Sequence, residues 1–409
     1  MVPPFSLAEN TRHLSFPPAR PRASMRHRPE RLCRRAAMRG YNIAIPFFFF
    51  LVLGAMIAAT AAGAATPSPT GGFEPKEGRT SPVVAVAALN AGTEVTDFLV
   101  PYGILNQAGV DVFAVAPTMD PVAFWPASSV RPDADFAGFD AQFPDGADIV
   151  IVPAMHDPED PAMLAWLRAQ EAKGALMVSI CEGASVLAAA GLLDGRRATG
   201  HFYEHESRVE RYGAVDWQRN IRYVEDGKRI SSAGVSASLP VSLMLAERIA
   251  GRERAEEIAA RYGVRGYGPE HDSEAFTIGA REMATAVKNM LLGWPRRHYL
   301  VEAWEGVDEV DMAFPLDFAA RTWRGSAGTY AAAKEVRSRH GLVFLADETG
   351  KVPENAWLVR LPGAEETGEA AVTLARSATL REDFLTFIGR EMGGDTAHFV
   401  AVQLEYPAN

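Results

Sequence analysis

The chain has 409 residues, too many for one ordinary domain, and 48% of them are hydrophobic, enough for a sizeable core. With 41 basic against 51 acidic residues its formal net charge is -10, which argues against a nucleic-acid partner because an acidic surface repels phosphate. The 2 cysteines, Cys33 and Cys181, offer no disulfide framework and leave Cys181 as a lone thiol.

Residues 1–42 read as a basic N-terminal segment, with Arg26, Arg28, Arg31, Arg34, Arg35 and Arg39 ahead of an uncharged run from Ile43 to Ala65. That run is about the ~20 apolar residues a membrane-crossing helix needs, and the arginines should stay on the cytoplasmic side. It ends in small residues with an A-x-A pattern at 62–64, which suits a signal peptidase. Residues 43–65 are therefore a cleaved signal peptide or an uncleaved transmembrane anchor, and Met25 or Met38 could be the start. Both readings place the globular part on the non-cytoplasmic side, as a secreted, periplasmic or membrane-anchored protein. Residues 66–81, rich in Pro, Gly, Ser and Thr, predict a flexible linker.

Residues 82–264 alternate strand and helix signals. Strands are predicted over 82–89, 110–117, 147–153 and 175–180 from short apolar runs, and helices over 97–108, 158–172, 183–190, 236–249 and 252–262. Asp226-Gly227 marks a hairpin. Such alternation implies a mostly parallel α/β sheet with helices on both faces.

The chemical signal is the string SICEGASVLAAAGLLDGRRATGHF, 179–202, in which a strand runs straight into Cys181 and a helix follows. This is the layout of a nucleophile elbow, a tight strand-to-helix turn that presents a side chain at the carboxyl edge of a sheet. A helix N-terminus behind a cysteine favours its thiolate. A carboxyl group brought close to such a thiolate is driven toward its protonated form and can then act as a general acid.

The same string, with AALNAGTEVTDFLVPYGIL before it and ISSAGVSASLPVSLMLAERIAGRERAEEIA after it, resembles the ThiJ/PfpI superfamily of class I glutamine-amidotransferase-like domains over about 82–264. The resemblance implies a flavodoxin-like or Rossmann-like sheet and gives Cys181 as nucleophile, Asp97 as the acid that contacts its sulfur, and His201 as the histidine beside it. It implies an oxyanion site from the backbone N–H of Glu182 and of the loop residues Ala154 or Met155, with Gly234 and Val235 lining the pocket. The chain departs from the family pattern at Glu182, where relatives carry a small or hydroxylated residue, and at the loop PAMHD, 153–157, where relatives have glycines. His156 in that loop reads as a loop histidine. His201 and His205, spaced i, i+4 between Glu204 and Glu206, read as a solvated helix face; neither metal nor cofactor is expected.

Residues 265–297 read as a helical connector ending at the breaker Gly293-Trp294-Pro295. Residues 298–409 then repeat the first pattern. Asp311 and Pro315 fall where Asp97 and Pro101 do, and AWLVRLPG, 356–363, falls where the 147–153 strand does. This reads as a degenerate α/β second copy, without a cysteine, that packs on the first unit as a pseudo-dimer partner. Its end is predicted as a helix over 380–392 and a strand over 398–407. Three functions stay open: an enzyme using Cys181 on a small electrophilic substrate by hydratase, amidase or glyoxalase-like chemistry; a ligand-binding or redox-sensing domain; and a transcription regulator, disfavoured by acidity and by the export segment.

Overall fold

The computed structural model describes residues 72–365 and 369–406. The basic segment 1–42 with Cys33, and the apolar run 43–65, lie outside the described residues. The described residues form one compact unit.

The central sheet has seven strands in the order Tyr223–Glu225, Arg229–Ser232, Leu176–Ser179, Ile149–Val152, Val83–Ala87, Asp111–Ala116 and Ala134–Asp135. All pairings are parallel except the hairpin Tyr223–Glu225 with Arg229–Ser232. Val83–Ala87 and Ile149–Val152 are buried at every position, as strands covered on both faces must be. Because the strands are parallel, the segments after them gather at one edge: the helix Val95–Gln107 after Val83–Ala87, the loop at Ala154 after Ile149–Val152, and Cys181 after Leu176–Ser179.

A second, five-stranded parallel sheet repeats that order. Glu348–Thr349, Gly325–Ala331, Arg297–Ala303, Ala356–Arg360 and Val372–Thr373 stand as Ala134–Asp135, Asp111–Ala116, Val83–Ala87, Ile149–Val152 and Leu176–Ser179 do in the first. The repeat extends to side chains. Asp133 Oδ2 accepts from Ala114 N at 2.7 Å, and Asp133 N donates back to Ala114 O at 2.8 Å. Asp347 makes the same pair with Thr329, at 2.8 and 2.9 Å.

The two halves share a third sheet. Ala91–Glu94, Val122–Trp125 and Ser129–Arg131 come from the first, Val343–Leu345 and Glu335–Arg337 from the second, and Ser129–Arg131 pairs antiparallel with Val343–Leu345. They also share a helix pair. Val95–Gln107 is buried from Val95 to Leu105, and Glu309–Ala320 is equally enclosed. Neither has a polar face, because each lies between its own sheet and the other helix. Gly103 permits the close approach: a Cβ there would stand 2.8 Å from Val310 Cγ2. One apolar core therefore runs through both halves, from Phe98 and Tyr102 to Phe314 and Phe318.

Three expectations are corrected. The linker is not free throughout: from Phe73 onward it is laid on the domain, with Phe73 N on Arg248 O at 2.8 Å and Arg79 Nη1 on Asp148 Oδ2 at 2.5 Å. The connector is helical only at the short turn Ser273–Ala275 and over Ala280–Leu292. The segment expected as a strand at 398–407 is helical to Gln403, in Gly394–Gln403. Its β-branched Val400 and Val402 suggested a strand, but packing against Leu380–Met392 and Ala280–Leu292 prevails over propensity.

Candidate active site

Pairing between Ile149–Val152 and Leu176–Ser179 closes with Ile180 N on Val152 O at 3.0 Å, and the chain then reverses. Cys181 makes that turn with φ +56°, a left-handed conformation that costs a non-glycine residue roughly 1–2 kcal/mol. Its amide is held by Ala233 O at 3.1 Å. Gly183 starts the helix Gly183–Ala189, and any Cβ there would stand 1.9 Å from Val152 O. The spacing Cys-x-Gly is thus a steric requirement of the elbow. The sulfur-bearing side chain is buried, with Cys181 only 5% exposed.

Four carboxyl groups act on this thiol. Burial pushes its pKa well above the ordinary cysteine value, and Asp97, Glu182, Glu94 and Glu405 push it the same way. The expectation of a resting thiolate is therefore corrected. The seven-residue helix behind Cys181 is outweighed by desolvation and by the surrounding acids.

Asp97 is fully buried. Its Oδ2 accepts from Ala154 N at 3.1 Å, and its Oδ1 has no hydrogen-bond partner. Burial lifts its pKa to about 7; the Ala154 amide works against that rise, and Asp317 adds to it. Asp97 is thus poised to hold or release a proton near neutrality. Glu94 caps the helix, its Oε2 accepting from Asp97 N at 2.6 Å. Burial, Asp317 and Asp97 raise its pKa well above the usual carboxylate range.

The cation of the cluster comes from the second half. Arg321 is buried, donates to Glu94 Oε1 at 3.0 Å and to Asp317 Oδ1 at 2.5 Å, and lies 4.5 Å over the Trp125 ring. Thr96 Oγ1 donates to Asp317 Oδ2 at 3.1 Å. Burial alone would lower the pKa of Arg321, but Asp317 and Glu94 hold it above its ordinary value. The Cys181 site is therefore built from both halves of the chain.

Glu182 does not stand free. It is paired with the buried Arg208 and accepts from Ser185 Oγ at 2.7 Å. Arg208 Nη2 also donates to His201 O at 2.8 Å, and its guanidinium sits 5.1 Å from the Trp217 ring centroid. Of the proposed oxyanion donors, the Ala154 amide is already engaged by Asp97, while Met155 bridges to Thr93. The amide of Glu182 lies at the elbow itself. His156 N donates to Gly92 O at 2.8 Å, and its ring meets Trp125 edge-on.

His201 is directed to the C-terminal segment. Its Nδ1 accepts from Tyr203 N at 3.3 Å, so Nε2 carries the proton and donates to Gln403 O at 3.0 Å. Gly234 and Val235 are covered by the same segment. Ser236 N donates to Leu404 O at 2.9 Å, and a Cβ on Gly234 would stand 2.6 Å from His201 Cδ2 and 2.8 Å from Glu405 Cδ. Glu405 is fully buried at φ +52°, accepting from Phe202 N at 2.7 Å and from His271 Nε2 at 2.7 Å. Burial would raise its pKa, but His271 and His201 hold it below the usual range, so it carries its charge. A cavity of about 680 Å3 lined by Gln107, Arg254, Arg261 and Arg339 includes no residue of this cluster.

The structure thus brings Cys181, Asp97 and Glu182 into one electrostatic cluster and turns His201, Gly234 and Val235 toward the docked C-terminal segment. Sequence reasoning missed Glu94, Arg208, Arg321 and Glu405. Glu94 had a local signal, an acid three residues before Asp97 at a helix start. Arg321 and Glu405 had none, because their partners are brought to them only by folding.

Residues 83–248 match the DJ-1/PfpI family. Protein dj-1beta of Drosophila melanogaster is 30% identical over 184 residues, 43% of this chain and 94% of that one. The isonitrile hydratase of Pseudomonas putida is 35% identical over 98 residues, 24% of this chain and 42% of the hydratase. The HTH-type transcriptional regulator CdhR of Pseudomonas aeruginosa is 32% identical over 137 residues, 33% of this chain and 40% of the regulator. The chain thus spans about two fifths of the length of these last two relatives. Among solved structures, a ThiJ/PfpI family protein from Pseudomonas syringae matches with TM-score 0.40 and 26% identity over 44% of this chain and 74% of that one. Drosophila melanogaster DJ-1beta matches with TM-score 0.40 and 25% identity over 44% and 96%.

Proposed function

The chain belongs to the DJ-1/PfpI family, and from that premise we propose that it is an enzyme using Cys181 as nucleophile on a small carbon electrophile, with Asp97 moving the proton. One observation carries the reading: a cysteine held in a left-handed turn at a sheet edge, coupled to a buried carboxyl whose Oδ1 is unpaired and whose pKa is pushed to about 7. An unpaired buried oxygen costs about 1–3 kcal/mol in the folded protein, and a catalytic role accounts for its being kept.

The thiol is neutral as the site rests, so attack requires a proton acceptor. The ionised form of Asp97 takes the thiol proton as sulfur bonds to carbon and passes it to that carbon; it then carries a proton from the added water to the departing sulfur. With an isonitrile, the substrate named for the Pseudomonas putida relative, S–H adds across the terminal carbon to give a thioformimidate. Water then adds to that carbon, the C–S bond breaks, the sulfur leaves with a proton, and an N-substituted formamide results. Arg321 keeps the Glu94 and Asp317 carboxylates from adding further negative charge. The docked segment Gln403–Glu405 must move for substrate to reach Gly234 and Val235.

The test is formamide production from an alkyl isonitrile, followed by mass spectrometry. Cys181→Ser should abolish it, and Asp97→Asn should reduce it by a factor on the order of 10²–10⁴. Turnover that survives Cys181→Ser sinks the proposal. The rival reading, a redox-sensing thiol, needs thiolate at neutral pH, and burial with four nearby carboxyl groups disfavours it. Rapid sulfenic acid formation without any turnover would favour the sensor.

We also infer that residues 43–65 export the chain or anchor it in a membrane, from their uncharged run behind six arginines. Mass spectrometry of the mature N-terminus distinguishes cleavage near 64 from retention. A chain recovered intact in the soluble cytoplasmic fraction would overturn both forms.

A further inference from the structure

The helix Ala280–Leu292 is amphipathic the wrong way round. Its buried face is polar: Glu282, Thr285 and Asn289, with Ala286. Asn289 Nδ2 donates to Thr322 O at 2.9 Å and to Thr396 Oγ1 at 3.2 Å, and Glu282 Oε2 accepts from Gly279 N at 2.9 Å. These bonds fix which side faces in. The outward side carries Met283, Val287, Met290 and Leu291, followed by Leu292 and Trp294. The helical spacing is i, i+4, i+7 and i+8, a single stripe, and Trp294 stands just beyond the helix end at Gly293. Leu291, Leu292 and Trp294 are 70%, 75% and 81% exposed. Of the eleven large hydrophobic side chains exposed among the described residues, six lie in this stretch, so this is a patch and not scatter.

Charge identifies what covers it. Within 280–298 stand Arg281, Lys288, Arg296 and Arg297 against the single acid Glu282, so 4 − 1 gives +3, on a chain whose net charge is -10. Arg281 shares Asp395 at 2.6 Å on the surface, a pairing worth little in water, and the buried Glu282 faces inward. An apolar stripe ending in an exposed tryptophan and flanked by lysine and arginine is the pattern of a helix lying in the headgroup region of an anionic bilayer. A second copy fits less well, since two such faces would set +3 against +3.

We propose that the face Met283–Val287–Met290–Leu291–Leu292–Trp294 docks on an anionic lipid surface, holding the globular unit flat against the membrane. The proposal takes from the preceding section only that the chain resides at a bilayer, and owes nothing to the chemistry of Cys181.

The experiment uses the full chain with vesicles of phosphatidylglycerol and phosphatidylcholine at about 3:7. Flotation reports binding. Quenching of tryptophan emission by acyl-chain-brominated lipids, compared between wild type and Trp294→Phe, reports where Trp294 sits. Support is a quenched component that Trp294→Phe removes, that falls severalfold on pure phosphatidylcholine, and that Leu291→Glu abolishes while the protein still floats. Protein that floats with Trp294 unquenched overturns the docking face but leaves the anchor of 43–65 standing. Protein that does not float overturns the docking and the anchor together. A detergent-solution mass of two chains that Leu291→Glu reduces to one would assign the face to a second copy and overturn the proposal.

Discussion

The two helices Val95–Gln107 and Glu309–Ala320 invite comparison, because each follows the first strand of its sheet in the same way. Each begins with an acidic cap, Glu94 or Asp308, whose carboxylate accepts from the amide of the Asp that follows, Asp97 or Asp311. Each carries a proline four residues beyond that Asp, Pro101 or Pro315, so the Asp carbonyl lacks its usual i+4 donor. Both Asp groups are lifted by burial to about 7. The halves diverge at the elbow. Ile180 N bonds Val152 O and Cys181 follows in a left-handed turn; Leu374 N bonds Arg360 O at 2.8 Å and Ala375 follows, exposed, without that turn. Asp311 is then satisfied by Ser377 Oγ at 2.7 Å, whereas Asp97 keeps an unpaired oxygen. The difference teaches that a raised carboxyl pKa alone does not mark a reaction centre. In the second half the same perturbation sits on a carboxyl that Ser377 satisfies, and that half lends Arg321 to Glu94 of the first.

The largest expected effect breaks the symmetry outright. Asp97→Asn should lower isonitrile turnover by a factor on the order of 10²–10⁴, while Asp311→Asn should leave kcat within about twofold. Equal losses in the two variants would mean that the second half takes part in chemistry. Next comes Arg321→Met. Removing this cation leaves Glu94 and Asp317 as uncompensated buried acids, which should cost about 3–5 kcal/mol in chemical denaturation. A loss below about 1 kcal/mol, the range of surface pairs, would show that the halves do not depend on this bridge.

A smaller effect sharpens the likeness between the helices. Asp97 and Asp311 have folded pKa values near 7, raised above their unfolded values. Each therefore contributes stability that is fully present below pH ~4 and is lost as pH rises through 7. Wild type should lose urea resistance between pH 5 and pH 8, and each Asn variant should lose less. Parallel behaviour of the two variants would confirm that burial, common to both helices, sets the shift. A variant as pH-sensitive as wild type would show that its Asp titrates near the ordinary value.

Much of this architecture was legible in the residues. Continuous apolar runs marked the buried parallel strands, Asp226-Gly227 marked the hairpin, and Cys181 with Gly183 marked the elbow, because the turn excludes any larger residue at 183. The repeat was legible from Asp311 and Pro315. The short strands Ala91–Glu94, Val122–Trp125 and Ser129–Arg131 were not, since they are stabilised by pairing with one another and with strands some 200 residues away. The thiolate expectation failed for a related reason. The helix behind Cys181 is local and visible, but Glu405 and the burial of the site come from distant chain. The stripe 283–294 shows the reverse case. Its periodicity is plain in sequence, yet only the bonds of Asn289 and Glu282 reveal that the apolar side faces out.

The finest distinction between the two halves concerns the C-terminal segment, which packs over Gly234 beside the Cys181 site. Glu405 carries its charge and raises the Cys181 pKa, while His271 and Phe202 N hold it in place. Glu405→Gln should speed iodoacetamide labelling of Cys181 a few-fold at pH 8, for two reasons that a pH–rate profile separates. Loss of the charge moves the profile's midpoint to lower pH; loosening of the segment raises its plateau at every pH. His271→Asn loosens the segment but leaves a carboxylate in it, so it should raise the plateau without lowering the midpoint. If Glu405→Gln changes neither midpoint nor plateau, the segment neither gates nor tunes the thiol, and the route to Cys181 must lie elsewhere.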